Sequence, residues 1–223
     1  MASPNARDAM LTRVRDALGR SHTLKPQVTP TVEDEVARLA SAEDDLPGKF
    51  QAGAEAVGMI VRRTTAGELR ERIVEVLREW QAGSVVIAMR QTEAVATAVK
   101  AVDIDVVDWR ESDGMDEQYD VDAGITDVDA ALAETGTLIV AADAEHSRGP
   151  SLVPPHHLAI VRQSDILPDL LDYLAARANA GPRDLPSSTV LVTGPSKTAD
   201  IEGELITGVH GPKDVVILLV EDE

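Results

Sequence analysis

Residues 59–107 read MIVRRTTAGELRERIVEVLREWQAGSVVIAMRQTEAVATAVKAVDIDVV, and their apolar period switches back and forth between strand and helix. Met59 to Arg62 reads as a short strand. Leu69, Ile73, Val76, Leu77 and Trp80 fall on one helical face, and Gly83 follows as a stop. Val85-Val86-Ile87-Ala88 is an aliphatic run of the kind found in strands buried on both faces. Thr92 to Val102 returns to a helical period and Val106-Val107 to a strand. Thr137 to Ala141, Leu158 to Val161, Val190 to Val192 and Val215 to Val220 extend the series of strands. Helices are expected over Asp165 to Ala180 and Thr198 to Thr207. This alternation predicts an α/β fold: an open, mostly parallel sheet with helices on both faces.

The N-terminal residues follow another pattern. A helix is expected from Pro4, with Ala9, Met10, Leu11, Val14 and Leu18 as its apolar stripe and Gly19 as its stop. Pro26 and Pro30 mark residues 20–31 as a linker. Thr31 then precedes Glu33, Asp34 and Glu35, an acidic first turn suited to a helix that ends before Leu46-Pro47-Gly48. The chain thus divides into an N-terminal helical arm, residues 1–50, and an α/β domain, residues 51–223. No internal repeat at a fixed period is visible.

Composition narrows the function. The chain has 223 residues, 39 acids against 21 Lys and Arg, a net charge of −18 and no cysteine. A chain of this length buries about 70% of its unfolded surface, enough for a core without metal or disulfide staples. Zero cysteine excludes a thiolate zinc site, a cysteine nucleophile and Cys-ligated iron–sulfur clusters. The charge argues against nucleic-acid binding, which needs a basic face, and against adsorption to anionic lipid. With one Phe, two Tyr and two Trp, platforms for base stacking are nearly absent. No apolar run approaches the roughly 20 residues that span a bilayer, and residues 1–8 lack a signal-peptide core. A cytoplasmic protein is expected. Twelve carboxylates and a single basic residue, Arg110, occupy Asp103 to Glu134. That stretch reads either as a solvated sheet edge or as a docking face for a basic partner.

Three segments carry candidate chemistry. Thr193-Gly194-Pro195-Ser196-Lys197-Thr198-Ala199-Asp200-Ile201-Glu202 is expected to follow a buried strand and to open a helix. A strand–loop–helix junction of this kind aims backbone N–H groups and the helix dipole at an anion, and Lys197 adds a mobile charge. It is not a Walker A loop: that motif needs Gly where this chain has Ser196 and Leu191. The bland alternative is a capped helix with an exposed Lys. Ala133-Glu134-Thr135-Gly136-Thr137 places an acid just before a turn into a buried strand, where confinement can tune a carboxyl for acid–base work. Ser151-Leu152-Val153-Pro154-Pro155-His156-His157 and Gly208-Val209-His210-Gly211-Pro212 are loops before strands. Neighbouring His156 and His157 point to opposite faces of extended chain, so no metal site is expected. The candidate residues are therefore Glu134 and Asp200 as catalytic carboxylates. Thr135, Gly136, Thr137, Gly194, Ser196, Lys197, Thr198 and His210 are the candidates for anion or substrate binding.

Together with Gly124-Ile125-Thr126, these segments resemble the lactate utilization protein C family, which carries the LUD domain. Thr193 to Glu202, followed at close range by Gly208 to Pro212, is the most specific part. The resemblance covers roughly Met59 to Glu223 and implies a fold similar to ribose phosphate isomerases and CoA transferases. It also implies membership of a three-protein system that oxidises L-lactate to pyruvate, with iron–sulfur clusters held by the two partner proteins. This chain would bind no cofactor and would bind a small carboxylate or phosphate ligand or scaffold its partners. The alternatives are a free-standing isomerase- or CoA-transferase-like enzyme acting on an anionic small molecule, and a binding module with a degenerate site.

Overall fold

Twelve strands and five helices form among the residues that the computed structural model describes, which are 4–19, 38–90, 92–110, 119–144, 146–178, 181, 185–201 and 204–221. In chain order the strands are β1 (Ile60–Thr65), β2 (Ser84–Ala88), β3 (Asp105–Val107), β4 (Ala123–Asp127), β5 (Ala130–Leu132) and β6 (Thr137–Ala142). They continue with β7 (His156–Arg162), β8 (Ile166–Leu167), β9 (Ser188–Val192), β10 (Lys197–Ile201), β11 (Glu204–Thr207) and β12 (Asp214–Glu221). The helices are α1 (Pro4–Ala17), α2 (Leu46–Ala56), α3 (Leu69–Glu79), α4 (Thr92–Lys100) and α5 (Leu170–Arg177).

The chain separates into two compact units, residues 1–37 and 38–223. In the first, α1 starts at Pro4, and Gly19 beyond its end adopts φ +61°, a conformation glycine enters without a Cβ clash. The helix expected from Thr31 onward begins at residues 31–37, outside the described set. Residues 38–45 form no helix, and Leu46-Pro47-Gly48 opens a further one. Asp45 starts that helix: its side chain accepts the Gly48 N–H, and Pro47 sits in the first turn, where its missing N–H costs nothing. The sequence division at residue 50 falls inside α2, which buries Phe50 and Ala54 in the α/β unit.

In the α/β unit the central sheet has the order β1-β12-β7-β4-β2-β3, parallel throughout. Its two faces bury different partners, as strand alternation requires. Val216, Leu218 and Val220 of β12, with Leu158 and Ile160 of β7, pack against Ile73, Val76 and Leu77 of α3 and Val95 and Val99 of α4. Val215, Ile217 and Leu219 point the other way, with Ala159 and Val161, toward Phe50 and Ala54 of α2 and Leu138 of β6. Helices thus cover both faces, and on the second α2 is joined by a mixed four-stranded sheet, β8-β5-β6-β9. That sheet buries Ala130, Leu132 and Ile139 on its far side against Tyr173 of α5.

Two expected helices are corrected. Asp165 to Ala180 contains a 3-10 turn, Gln163–Asp165, running into it, then β8, and only then α5. Pro168 biases Leu167 toward extended backbone, and Asp169 caps α5 by accepting the Asp172 N–H at 3.0 Å. Residues 179 and 180 lie outside the described set. Thr198 to Thr207 is an antiparallel pair, β10 and β11, with Lys197 opposite Thr207 and Thr198 opposite Ile206. β-branched Thr198, Ile201, Ile206 and Thr207 favour strand, and a Gly at 203 would cost a helix interior about 1 kcal/mol.

Close backbone approaches tie the layers together. A Cβ on Gly124 would lie 1.8 Å from the Pro150 carbonyl oxygen. Gly136, at φ +67°, would place a Cβ 2.1 Å from the Ala54 nitrogen. Both obstacles are backbone and cannot swing aside. Gly124→Ala and Gly136→Ala should each destabilise by about 3 kcal/mol or more, read by urea unfolding at neutral pH. Gly67→Ala, whose Cβ would meet only the Thr65 hydroxyl at 3.9 Å, should stay within about 0.5 kcal/mol of the parent. Equal stability of all three variants would show that these contacts do not constrain the fold.

Candidate functional site

Thr135, Thr137 and Thr193 form a chain of hydroxyls. Thr135 Oγ1 lies 2.6 Å from Thr137 Oγ1, which lies 2.8 Å from Thr193 Oγ1. The turn between β5 and β6 is thereby joined to the turn after β9, through the antiparallel pairing of β6 with β9. Gly194, Ser196 and His210 line one cavity of about 370 Å³ together with Ser151, Leu152 and Pro212. This cavity lies at the amino end of β12, beside Val215.

The remaining sequence candidates are placed differently. Lys197 Nζ donates to the Val57 carbonyl at 3.2 Å, at the C-terminal end of α2, where a cation complements the helix dipole. Glu134 is half-buried, its backbone N–H donates to the Pro168 carbonyl at 3.0 Å, and it lines neither this cavity nor the larger crevice below. Thr198 and Asp200 stand on β10; the side chain of Asp200 is outside the described set. The helix expected to follow Pro195 is absent, so no helix dipole aims at an anion here. The Ser196 N–H donates to the Pro212 carbonyl at 2.8 Å, and the Gly208 N–H to the Ser196 carbonyl at 2.8 Å. The segment is a pinned double turn that leaves a cavity, and not a strand–loop–helix anion nest.

The histidines divide as the extended backbone of β7 requires. His156 stacks on Trp80, ring centroids 4.7 Å apart, with Nδ1 3.0 Å from Asp214. Burial and then Lys213 lower its pKa, against the opposing pull of Asp214 and Asp122. His157 is fully buried, its Nε2 2.9 Å from Thr126 Oγ1 and its Nδ1 without a partner. Burial alone lowers its pKa to about 4. Among the described residues no group of three or more His, Asp or Glu is arranged to hold a metal ion.

A second cavity lies at the opposite end of the sheet. It is a crevice of about 560 Å³ lined by Leu69, Arg70, Met89, Arg90, Asp127, Ile160, Arg162, Asp165, Val220 and Glu221, among others. Arg90 follows β2, Asp127 ends β4, Arg162 ends β7 and Glu221 ends β12, so these residues gather at the carboxyl ends of parallel strands. Open α/β sheets place ligands there, at the point where strand order reverses. Here that point is between β2, which leads outward to β3, and β4, which leads back toward β7. Asp165 has its pKa raised by burial, partly offset by Arg90 and Arg162. Arg70, Arg90, Arg162, Asp127 and Asp165 belong to none of the motifs that the sequence offers. The available signal was positional: each closes a strand or lies within a few residues of a strand's end.

The fold and its paired cavities define an open α/β domain with a parallel six-stranded sheet and a smaller mixed sheet. Residues 48–220 match the LUD domain, and the chain belongs to the LUD domain family. It is 30% identical to lactate utilization protein C of Halalkalibacterium halodurans, over 97% of this chain and 98% of that one. It is 31% identical to lactate utilization protein C of Exiguobacterium sp., over 97% and 96% of the two chains. The crystal structure of a DUF162 family protein from Deinococcus radiodurans shares the fold, with a TM-score of 0.62 and 24% identity, covering 79% of this chain and 96% of that one.

The environment of His157 sets a pH dependence. Its folded pKa lies below the ordinary value of 6.5. The unfolded chain therefore takes up a proton between pH 6.5 and about 4 that the folded chain refuses. The stability that rests on neutral His157 is present above pH 6.5 and is lost as pH falls through that window. The loss amounts to as much as about 3 kcal/mol. Urea unfolding across the window should show a steeper fall for the parent than for His157→Gln. Parallel curves would remove His157 as the source.

Proposed function

We propose that this chain serves the oxidation of L-lactate to pyruvate as the cluster-free member of a multi-protein system. Two partner proteins would hold the iron–sulfur clusters, and this chain would bind a small carboxylate or phosphate ligand or hold its partners together. The observation that carries the reading is the end-to-end similarity to relatives named lactate utilization protein C, which leaves no large segment of either chain unmatched. Composition agrees with the division of labour: a chain with no cysteine offers no thiolate for a cluster. No helix among the described residues is long and apolar enough to cross a membrane.

The catalytic role assigned to Glu134 and Asp200 belongs to the same proposal. In it the hydroxyl chain of Thr135, Thr137 and Thr193 brings the Glu134 turn beside the Gly194 to Lys197 turn. Glu134 itself lines no part of the amino-end cavity.

Deletion of the gene in the organism that encodes it should abolish growth on L-lactate as sole carbon source while leaving growth on pyruvate intact. The tagged chain should bring down partner proteins with bound iron. Normal growth on lactate, with no second gene substituting, would sink the proposal.

A further inference from the structure

The carboxyl-end crevice gathers cations of this acidic chain around a cavity. Three guanidinium groups, Arg70, Arg90 and Arg162, line it. Arg90 is partly engaged: its NH2 donates to the Val128 carbonyl at 3.2 Å and lies 3.8 Å from Asp129, and its Nε lies 3.9 Å from Asp127. Asp129 is itself held by the Tyr173 hydroxyl at 2.8 Å and by Arg177. Glu221 lies 3.5 Å from Arg63. Among the described residues the guanidinium groups of Arg70 and Arg162 form no hydrogen bond or ion pair. The Arg162 guanidinium acts on Asp165 by longer-range attraction, while the Arg162 backbone N–H donates to the same carboxyl. A single exposed Arg without a partner is ordinary. Two of them beside Arg90 around one cavity, whose carboxylates Asp127, Asp165 and Glu221 balance the three guanidinium charges, stand out in a chain carrying −18.

The rest of the lining narrows the ligand. Met89, Ile160 and Val220 are buried apolar residues, and Leu69, Ala94 and Val95 extend the apolar wall. An inorganic ion would leave that wall idle, whereas the carbon skeleton of an organic anion would cover it. The cavity volume falls in the range of about 300–1,000 Å³ typical of small-molecule sites. α3 and α4 both begin at the crevice, and the N-cap of α3, Glu68, makes no side-chain capping bond. The positive ends of both helix dipoles therefore lie near the crevice and favour an anion there. A monocarboxylate occupies one guanidinium fork, while a phosphate monoester or a dicarboxylate occupies two. Asp165 adds a lining carboxyl that can accept from a hydroxyl of the ligand.

We propose that this crevice binds a small hydroxyl-bearing organic dianion, a phosphate monoester or a dicarboxylate, through Arg70 and Arg162, with Asp165 hydrogen-bonded to its hydroxyl. The inference goes beyond a role in lactate utilization and does not depend on it. It also separates this site from the Gly194 to Lys197 turns at the other end of the sheet.

Glycerol phosphate, malate and L-lactate, matched for ionic strength, are added to the full-length chain and the melting temperature is read. One or both dianions should raise it by about 5–10 °C at a hundredfold excess over Kd, and L-lactate should do so much less. Which dianion acts distinguishes phosphate from dicarboxylate. The double variant Arg70→Gln/Arg162→Gln should melt like the parent without ligand, since neither side chain holds the fold, and should lose the shift. Lys197→Ala should keep it. Isothermal titration of the single variants gives the same reading should the double variant fold poorly. No shift with any of the three anions, a shift that survives in the double variant, or one abolished only by Lys197→Ala would each overturn the assignment. Growth of the deletion strain on lactate is scored separately, so the lactate reading and the crevice can fail independently.

Discussion

β12 is hydrogen-bonded along both edges and buried on both faces, and the rest of the α/β unit is arranged around that constraint. It pairs in parallel with β1 over residues 216–221 and with β7 over residues 214–220. Because it is the last strand of the chain and sits inside the sheet, β1 joins the sheet only through it. Every residue from Val215 to Val220 must be apolar, since alternate side chains enter two separate cores. A polar residue between Val216 and Leu219 would have no water on either side, and burying an unpaired polar group costs several kcal/mol. The same strand sets the two ends of the site. The amino-end cavity touches its first buried residue, Val215, and the carboxyl-end crevice touches its last, Val220.

The motif residues that carry the family resemblance serve largely to bring loops onto this frame. Gly124 lets the 3-10 turn Gly149–Ser151 lie directly on β4, and Thr126 two residues later bonds buried His157. Gly136 admits the backbone of α2 at Gly53 and Ala54. Gly211 brings its loop against the Leu152 carbonyl and Ser196, and Gly208 packs on Lys213. These are close approaches that a Cβ would block. A motif can therefore be specific to a fold family without each of its positions touching a ligand. Lys197 is the clearest case, since its ammonium is used on the end of α2.

Much of the fold was legible because aliphatic periodicity is strong in this chain. β2, α3, α4, β6, β7 and β12 appear where their patterns place them, with bounds shifted by a few residues. The failures have local physical causes. At Thr198 to Thr207 charged and small residues mimic a helical face, while the β-branched residues and Gly203 favour a hairpin. At Asp165, Pro168 and Asp169 move the helix start past a short strand whose two residues, Ile166 and Leu167, are too few to show a period. The amino-end cavity was legible as a set of motifs, although its assigned mechanism required a helix that does not form. The crevice arginines were not legible, because Arg70, Arg90 and Arg162 lie far apart in sequence and only the parallel register brings them to one edge.

The acidic stretch from Asp103 to Glu134 also changes meaning. Residues 111–118 lie outside the described set, but three of its acids do structural work elsewhere in the unit. Asp122 accepts the N–H groups of Gly83 and Ser84 and the Ser84 hydroxyl, tying the entry of β2 to the entry of β4. Asp127 accepts the Arg90 N–H at 3.0 Å, which sets the loop after β2. Asp129 is shared by Tyr173, Arg177 and Arg90. A composition count treats these carboxylates as one solvated surface. The fold instead spends Asp127 and Asp129 on holding Arg90 at the crevice wall, so part of the chain's negative charge serves to position a positive one. Acids thus hold one arginine of the crevice in place, while the guanidinium groups of Arg70 and Arg162 stay unpaired beside it.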